Sequence, residues 1–129
     1  MRMDRHGFTL IEMVMVVVIV GLLAAVAIPR VQTARGRAFV STMKADLRNF
    51  AVAEESYFYD FQVYAGDVAT LEARGHEASP GVTIVVNEAT PMGWSATVSH
   101  ANIAERCYLF TGAAAPVGVA TEDGDLRCD

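Results

Sequence analysis

The chain has 129 residues, of which 53% are hydrophobic and 19% are charged, with a mean hydropathy of +0.30. This length predicts one domain, and the composition excludes the disordered, collagen-like and coiled-coil classes. The formal net charge of −5 argues against nucleic-acid binding as the main role. The apolar residues are concentrated near the N-terminus, and this uneven distribution guides the prediction of the fold.

The first predicted element is an apolar helix that follows a short polar segment, residues 1–7. Residues 13–28 carry no polar side chain, and extension back to Phe8 adds one charge, that of Glu12. As a helix, the 21 residues from 8 to 28 span about 31 Å, which matches the thickness of a bilayer's hydrocarbon core. The sequence therefore predicts a membrane-spanning helix over residues 8–29.

The helix is predicted to continue over residues 30–61 with a different pattern. Apolar residues recur at three- and four-residue steps, and charged residues lie between them. This apolar stripe consists of Phe39, Met43, Leu47, Phe50, Tyr57 and Phe61, with Glu54 as its one polar member. Such a stripe needs a partner, so we expect it to pack on a sheet downstream. Pro29 removes one helix hydrogen bond, which predicts either a static kink or a segment that unwinds in an assembly.

The rest of the chain predicts a loop and then a small sheet. Residues 62–81 contain several Gly and Pro breakers, with one short helical turn over residues 68–73. Segments rich in β-branched and aromatic residues follow at 82–87, 94–99 and 107–110. The predicted fold class is α+β, in which a long N-terminal helix packs on a small antiparallel sheet.

Two cysteines, Cys107 and Cys128, predict one disulfide bond in an oxidising compartment. The bond would hold the tail, which is rich in Gly, Ala and acidic residues, against the third strand. A closed loop of this length stabilises a small domain by roughly 3 kcal/mol in the chain-entropy model. Two thiols without neighbouring histidines do not predict a metal site, and no cofactor is expected.

The other candidate sites are few. Glu122, Asp123 and Asp125 place three carboxylates in one turn, which makes a weak calcium candidate because hard cations prefer oxygen ligands. An exposed acidic turn explains the same residues without a metal. His76 and His100 have no nucleophile or carboxylate partner evident in the sequence. Because no nucleotide, zinc or nucleophile motif occurs, the chain is predicted not to be an enzyme.

The N-terminal residues resemble the class III leader and first helix of type IV pilins and pseudopilins. The resemblance rests on the sequence GFTLIE at residues 7–12, on the unbroken apolar run behind it and on Pro29. It implies that a prepilin peptidase removes residues 1–7 by cutting after Gly7 and methylates the new N-terminus at Phe8. It also implies that residues 30–129 form a pilin head domain.

Glu12 is the main candidate for a functional residue. A carboxylate in an otherwise apolar helix marks a functional site by default. Cleavage after Gly7 would create an amine at Phe8, about one helical turn away. In an assembled bundle, Glu12 of one subunit would neutralise the Phe8 amine of its neighbour. The alternative is that the Glu12 carboxylate only reaches the water at the cytoplasmic membrane surface.

The resemblance implies a structural subunit of a type IV pilus. Such a subunit is stored in the lipid of the inner membrane until an assembly platform and motor extract it. It then polymerises with itself, or with other pilins, into an extracellular pilus. The first alternative, which the resemblance also implies, is a pseudopilin of a type II secretion system, a class whose major members look calcium-stabilised near the C-terminus. The second is a single-span enzyme or binding module, which retention of residues 1–7 would favour.

One feature opposes the topology that the resemblance implies. Arg2 and Arg5 precede the apolar helix, whereas Arg30, Arg35 and Arg37 follow it. The positive-inside rule alone would therefore place the C-terminal part in the cytoplasm. The leader, which faces the cytoplasm in this family, and the cysteine pair favour the opposite orientation.

Overall fold

The computed structural model describes residues 7–129. Its elements are α1, Leu10–Phe61; α2, Val68–Glu72; β1, Val82–Thr90; β2, Gly93–His100; β3, Arg106–Gly112; and β4, Arg127–Cys128. The long helix and the sheet confirm the predicted α+β class. Two compact units divide at Arg35 and Gly36. We call residues 7–35 the stem and residues 36–129 the head.

The sheet of the head has four antiparallel strands in the order β1-β2-β3-β4. The turn between β1 and β2 falls at Pro91 and Met92. Strand β1 continues three residues past its predicted end at residue 87. A register shift between Val86 and Glu88 accommodates one extra residue, so the residues that follow the shift, 88–90, still pair with β2. The two-residue β4 was not predicted, because so short a strand carries no alternating pattern.

The main core of the head lies between α1 and one face of the sheet. Met43, Leu47 and Phe50 of α1 are fully buried, which confirms the middle of the predicted apolar stripe. Phe50 meets Trp94 of β2 edge to face, with ring centroids 5.5 Å apart. The prediction was wrong for the last member of the stripe, Phe61, whose side chain is exposed at the end of α1.

The opposite face of the sheet is covered in part by the tail. Tyr108 and Phe110 of β3 point to this face and form a second cluster with Ala114, Val117 and Ala120. Gly118 lies at φ +55°, and a Cβ atom there would be 2.4 Å from the ring of Tyr108. The tail is therefore packed against the sheet through residues 114–120, in addition to being held by the disulfide.

Acidic side chains of α1 fasten the connection between α1 and the sheet. Buried Asp46 accepts hydrogen bonds from the backbone N–H and the hydroxyl of Ser79, both at 3.0 Å. Buried Glu54 accepts from the backbone N–H of Ala65 at 2.8 Å. These contacts supply partners for loop groups that would otherwise be buried without hydrogen bonds. Asp46 was not predicted to be buried, since the periodic pattern places it among the charged residues.

We expect Asp46→Ala to lower the free energy of unfolding by about 1–3 kcal/mol, because the Ser79 N–H loses its acceptor. Asp60→Ala is the matched control, since Asp60 pairs with Arg74 through side chains that are 43% and 40% exposed. The control should change stability by less than about 1 kcal/mol. Denaturant unfolding in detergent micelles, followed by the fluorescence of the single, buried Trp94, measures both. Equal losses in the two variants would contradict this role of Asp46.

Candidate functional site

The stem presents its apolar side chains to its surroundings along its whole length. Every large apolar residue from Phe8 to Val31 is 49–82% exposed. Helix α1 contains a segment that is long and apolar enough to cross a membrane, with a mean hydropathy of 2.9. So large an apolar surface is not stable in water, so it requires either lipid or other protein chains around it. This surface is the candidate functional site.

The N-terminal end of α1 is closed by a reciprocal hydrogen-bond pair between Thr9 and Glu12. The Thr9 hydroxyl accepts from the Glu12 backbone N–H at 3.3 Å. The Glu12 carboxylate accepts from the backbone N–H and the hydroxyl of Thr9, both at 2.8 Å. This arrangement is a capping box, which satisfies donors that a helix start leaves without partners.

The sequence reasoning missed the capping box, although the signal was present. The pattern Thr-x-x-Glu before an apolar run is typical of a helix start. Glu12 therefore has a structural role within its own chain as well as the predicted role in assembly. Any experiment on Glu12 has to separate the charge of this side chain from its capping hydrogen bonds.

The predicted cut lies at an accessible place in the chain. Gly7 and Phe8 precede α1, and Phe8 is 79% exposed. Among the described residues, and apart from the chain neighbours of Gly7, no atom lies within 4 Å of the position that a Cβ of Gly7 would take. The other six leader residues lie outside the described part of the chain. Cleavage after Gly7 and methylation of Phe8 remain predictions.

Helix α1 continues through Pro29 and Gly36 without interruption. The hydroxyl of Thr33 donates to the carbonyl oxygen of Pro29, four residues earlier in α1, at 3.1 Å. The unwinding of this segment in an assembly stays a prediction.

The disulfide joins Cys107 of β3 to Cys128 of β4, as predicted. Asp129 adds a second attachment that the sequence did not reveal. Its carboxylate accepts from the Arg106 backbone N–H and from the Tyr108 hydroxyl, both at 3.0 Å. These hydrogen bonds lower the pKa of the Asp129 carboxyl, and the bond from the Arg106 backbone N–H has the largest effect.

We expect Cys107→Ser to lower the free energy of unfolding of the head by about 2–4 kcal/mol and to loosen the tail. The loss has two causes, since the loop becomes open and a hydroxyl replaces a fully buried sulfur. Denaturant unfolding measures the loss, and non-reducing peptide mapping of the wild type tests the bond. Two free thiols in surface-exposed protein would contradict the disulfide.

The acidic turn of the tail is engaged in contacts within the protein. Asp123 accepts from the Gly112 backbone N–H at 2.8 Å, and Asp125 pairs with Arg127. Glu122 is exposed. Within residues 7–129, no three His, Cys, Asp or Glu side chains are grouped as metal ligands would be. The structure thus uses two of the candidate carboxylates for other purposes and does not gather all three.

Both histidines of the head pack against aromatic rings of α1. The ring of His100 stacks on Phe39 with centroids 4.2 Å apart, and its Nδ1 accepts from the backbone N–H of Asn102 at 3.1 Å. His76 meets Phe50 edge to face at 5.4 Å. These contacts give the histidines a packing role in the head.

Comparison with known proteins agrees with the stem as the defining feature. The family model described as the prokaryotic N-terminal methylation motif matches residues 2–28. The chain is 40% identical over 72 residues to the type II secretion system core protein G of Pseudomonas aeruginosa. That alignment covers 56% of this chain and 51% of the relative, so the chain spans about half of its length.

Two relatives are named as major pilus proteins. The chain is 33% identical over 98 residues to the type IV wide pilus major component of Thermus thermophilus, an alignment that covers 75% of each chain. It is 36% identical over 84 residues to the type IV major pilin protein of Myxococcus xanthus, which covers 59% of this chain and 38% of that protein. These names describe structural components rather than enzymes. The methylation motif and the extent of the Thermus alignment show that the chain belongs to the type IV pilin and pseudopilin family.

Proposed function

We propose that this chain is a structural subunit of a type IV pilus, which polymerises through its stem. The exposed apolar surface of the stem is the observation that carries the proposal. In a monomer this surface needs lipid, whereas in a filament the stems of neighbouring subunits cover one another. Lipid contacts are exchanged for protein contacts of similar polarity, so the net change in apolar burial is small. Apolar burial therefore supplies little driving force for this step, which agrees with assembly by an external motor.

The proposed sequence of events begins in the inner membrane with the head outside the cytoplasm. A prepilin peptidase removes residues 1–7 and methylates Phe8. An assembly platform and its motor then move the subunit from lipid into the base of an extracellular filament. The Cys107–Cys128 bond suits a head that folds in an oxidising compartment. None of these steps requires a catalytic group or a cofactor in this chain.

Glu12 is proposed to set the register of each incoming subunit. Its carboxylate lies in the first turn of α1, next to the position where cleavage creates the Phe8 amine. An amine that enters an apolar bundle without a partner is costly, and a carboxylate of the neighbouring stem offsets this cost. The pairing selects one axial position among the many that apolar contacts alone would allow.

A pseudopilin of a type II secretion system is the second candidate. The 40% identity to a type II secretion protein favours it. The pilus assignment is preferred because the alignment to the Thermus pilin covers 75% of the chain instead of 56%.

Intact mass measurement of sheared surface fibres tests the proposed function. We expect fibres that contain this chain with residues 1–7 absent, one added methyl group and an intact disulfide. Cells with the gene deleted should lose these fibres and keep normal protein secretion. A sheared fraction without this chain, together with a secretion defect in the deletion strain, would favour the pseudopilin.

A further inference from the structure

Glu54 is a buried carboxylate that is only half satisfied. The side chain has no exposed surface and lies in the head, on the side of α1 that meets the loop after it. Its Oε2 accepts from the Ala65 backbone N–H at 2.8 Å, whereas its Oε1 has no hydrogen-bond partner. Within residues 7–129, neither of the two ion pairs includes Glu54. A buried oxygen without a partner is costly when it carries charge.

The nearest charged neighbour of Glu54 along α1 carries a like charge. Glu55, its neighbour on α1, accepts from the hydroxyl of Tyr64 at 3.1 Å and adds a like charge. On the loop that follows α2, His76 packs on Phe50, one helical turn before Glu54. The Nε2 of His76 is likewise buried without a partner. Burial, the main cause, raises the pKa of Glu54 to about 7, although the hydrogen bond from Ala65 opposes this shift.

The segment fastened by Glu54 reverses the chain direction after α1. Gln62 adopts a positive φ of 58°, which ends the helix, and Ala65 is almost completely buried. Tyr64 stacks on Phe58 with ring centroids 4.7 Å apart. The Tyr64–Glu55 hydrogen bond is exposed, so the Glu54–Ala65 bond is the buried polar attachment of the segment.

We propose that Glu54 is a proton-sensitive latch that holds residues 62–66 on α1 when it is neutral and releases them when it is ionised. The closed segment buries the carboxyl group, and the open segment exposes it to water. A neutral carboxyl group tolerates burial, whereas a carboxylate gains hydration when the segment opens. The latch needs no contact with the stem, so it is independent of the proposed filament.

The pH dependence follows from the proton count. When the segment is open, Glu54 has its ordinary pKa of 4.5. When the segment is closed, the pKa of Glu54 is about 7. Between these values the closed state binds more protons, so acid favours closure and a rise in pH favours opening. Closure should be strongest below the lower value and weakest above the upper one. This pH dependence is opposite to that of a carboxylate in an ion pair, whose stabilising effect is lost as the pH falls.

Hydrogen exchange of the Ala65 amide, the one that Glu54 accepts from, tests the latch in the full chain in detergent micelles. Rates are divided by the intrinsic rate at each pH, so that only the opening equilibrium remains. In the wild type we expect protection to fall by about tenfold or more as the pH rises from 5 to 8. Glu54→Gln keeps an acceptor for Ala65 without a titrating group, so its protection should be constant. Glu55→Gln, the matched control, keeps the titrating group at Glu54, so its protection should still fall as pH rises, over a slightly narrower range because one like charge is gone.

Two results would overturn the latch. One is constant protection in the wild type, and the other is the same slope in Glu54→Gln as in the wild type. The carboxyl carbon shift of Glu54, measured by NMR against pH in the wild type, decides the matter even if the variant does not fold. A midpoint near the ordinary value of 4.5 would contradict the proposal.

Discussion

Glu12→Leu is expected to produce a mature chain that stays in the membrane and forms few or no fibres. The change makes the stem more apolar, so insertion into lipid should be unaffected or improved. The cut site is untouched, so processing should continue. Incorporation should fail because the Phe8 amine of the incoming subunit would enter the bundle unpaired, at a cost of several kcal/mol. Immunoblots of cell fractions and electron microscopy of surface fibres measure the two outcomes, with the variant as the sole copy.

The capping box makes Glu12→Gln the decisive control. Glutamine also serves at the third position of a capping box, so this variant keeps the helix start but removes the charge. If charge pairing drives incorporation, the glutamine variant should assemble as poorly as the leucine variant. If the role of Glu12 is only to cap α1, the glutamine variant should form normal fibres. Thr9→Ala gives the reverse separation, because it loses the cap at a cost of about 1 kcal/mol and keeps the charge.

Abundant fibres built only from Glu12→Leu subunits would contradict the pairing mechanism. Glu12 would then be a residue that caps α1 and reaches the water at the membrane surface. Fibres from Glu12→Gln together with none from Thr9→Ala would assign the effect to the helix start instead.

The stem and the buried stripe of α1 could be predicted because each depends on residues close together in sequence. A run without polar side chains marks a helix that needs apolar surroundings, whatever the rest of the chain does. The three- and four-residue spacing of Met43, Leu47 and Phe50 likewise marks one face of a helix. Both patterns report the environment of a helix directly.

The attachments of the head could not be predicted because they join residues far apart in the chain. Asp46 and Ser79 are separated by 33 positions, and either residue alone looks like an ordinary surface residue. Asp129 gave no signal for its contacts with Arg106 and Tyr108, which depend on how the tail returns to β3. The periodic pattern marks Glu54 as a polar residue in an apolar stripe, but it does not identify the backbone N–H that Glu54 binds.

The largest effect on processing is expected from a bulky residue at the cut. Gly7→Phe should leave the full-length precursor in the membrane, because the peptidase site would have to accommodate a large side chain directly before the scissile bond. The substitution should not disturb the fold of residues 9–129, since none of their atoms lies within 4 Å of the position of the new Cβ. A loss of cleavage would therefore report recognition of the leader rather than misfolding.

Gly36→Phe is the matched control for this experiment. Gly36 also has no atom near its Cβ position other than the neighbouring backbone of α1, and it lies 29 residues from Gly7. The control should be cleaved normally, so that the mature chain starts at Phe8. The masses of precursor and mature chain differ by residues 1–7, which intact mass spectrometry of the membrane fraction resolves. Mature chain at the wild-type level in Gly7→Phe would refute cleavage after Gly7, and the leader would then have to end elsewhere or be retained.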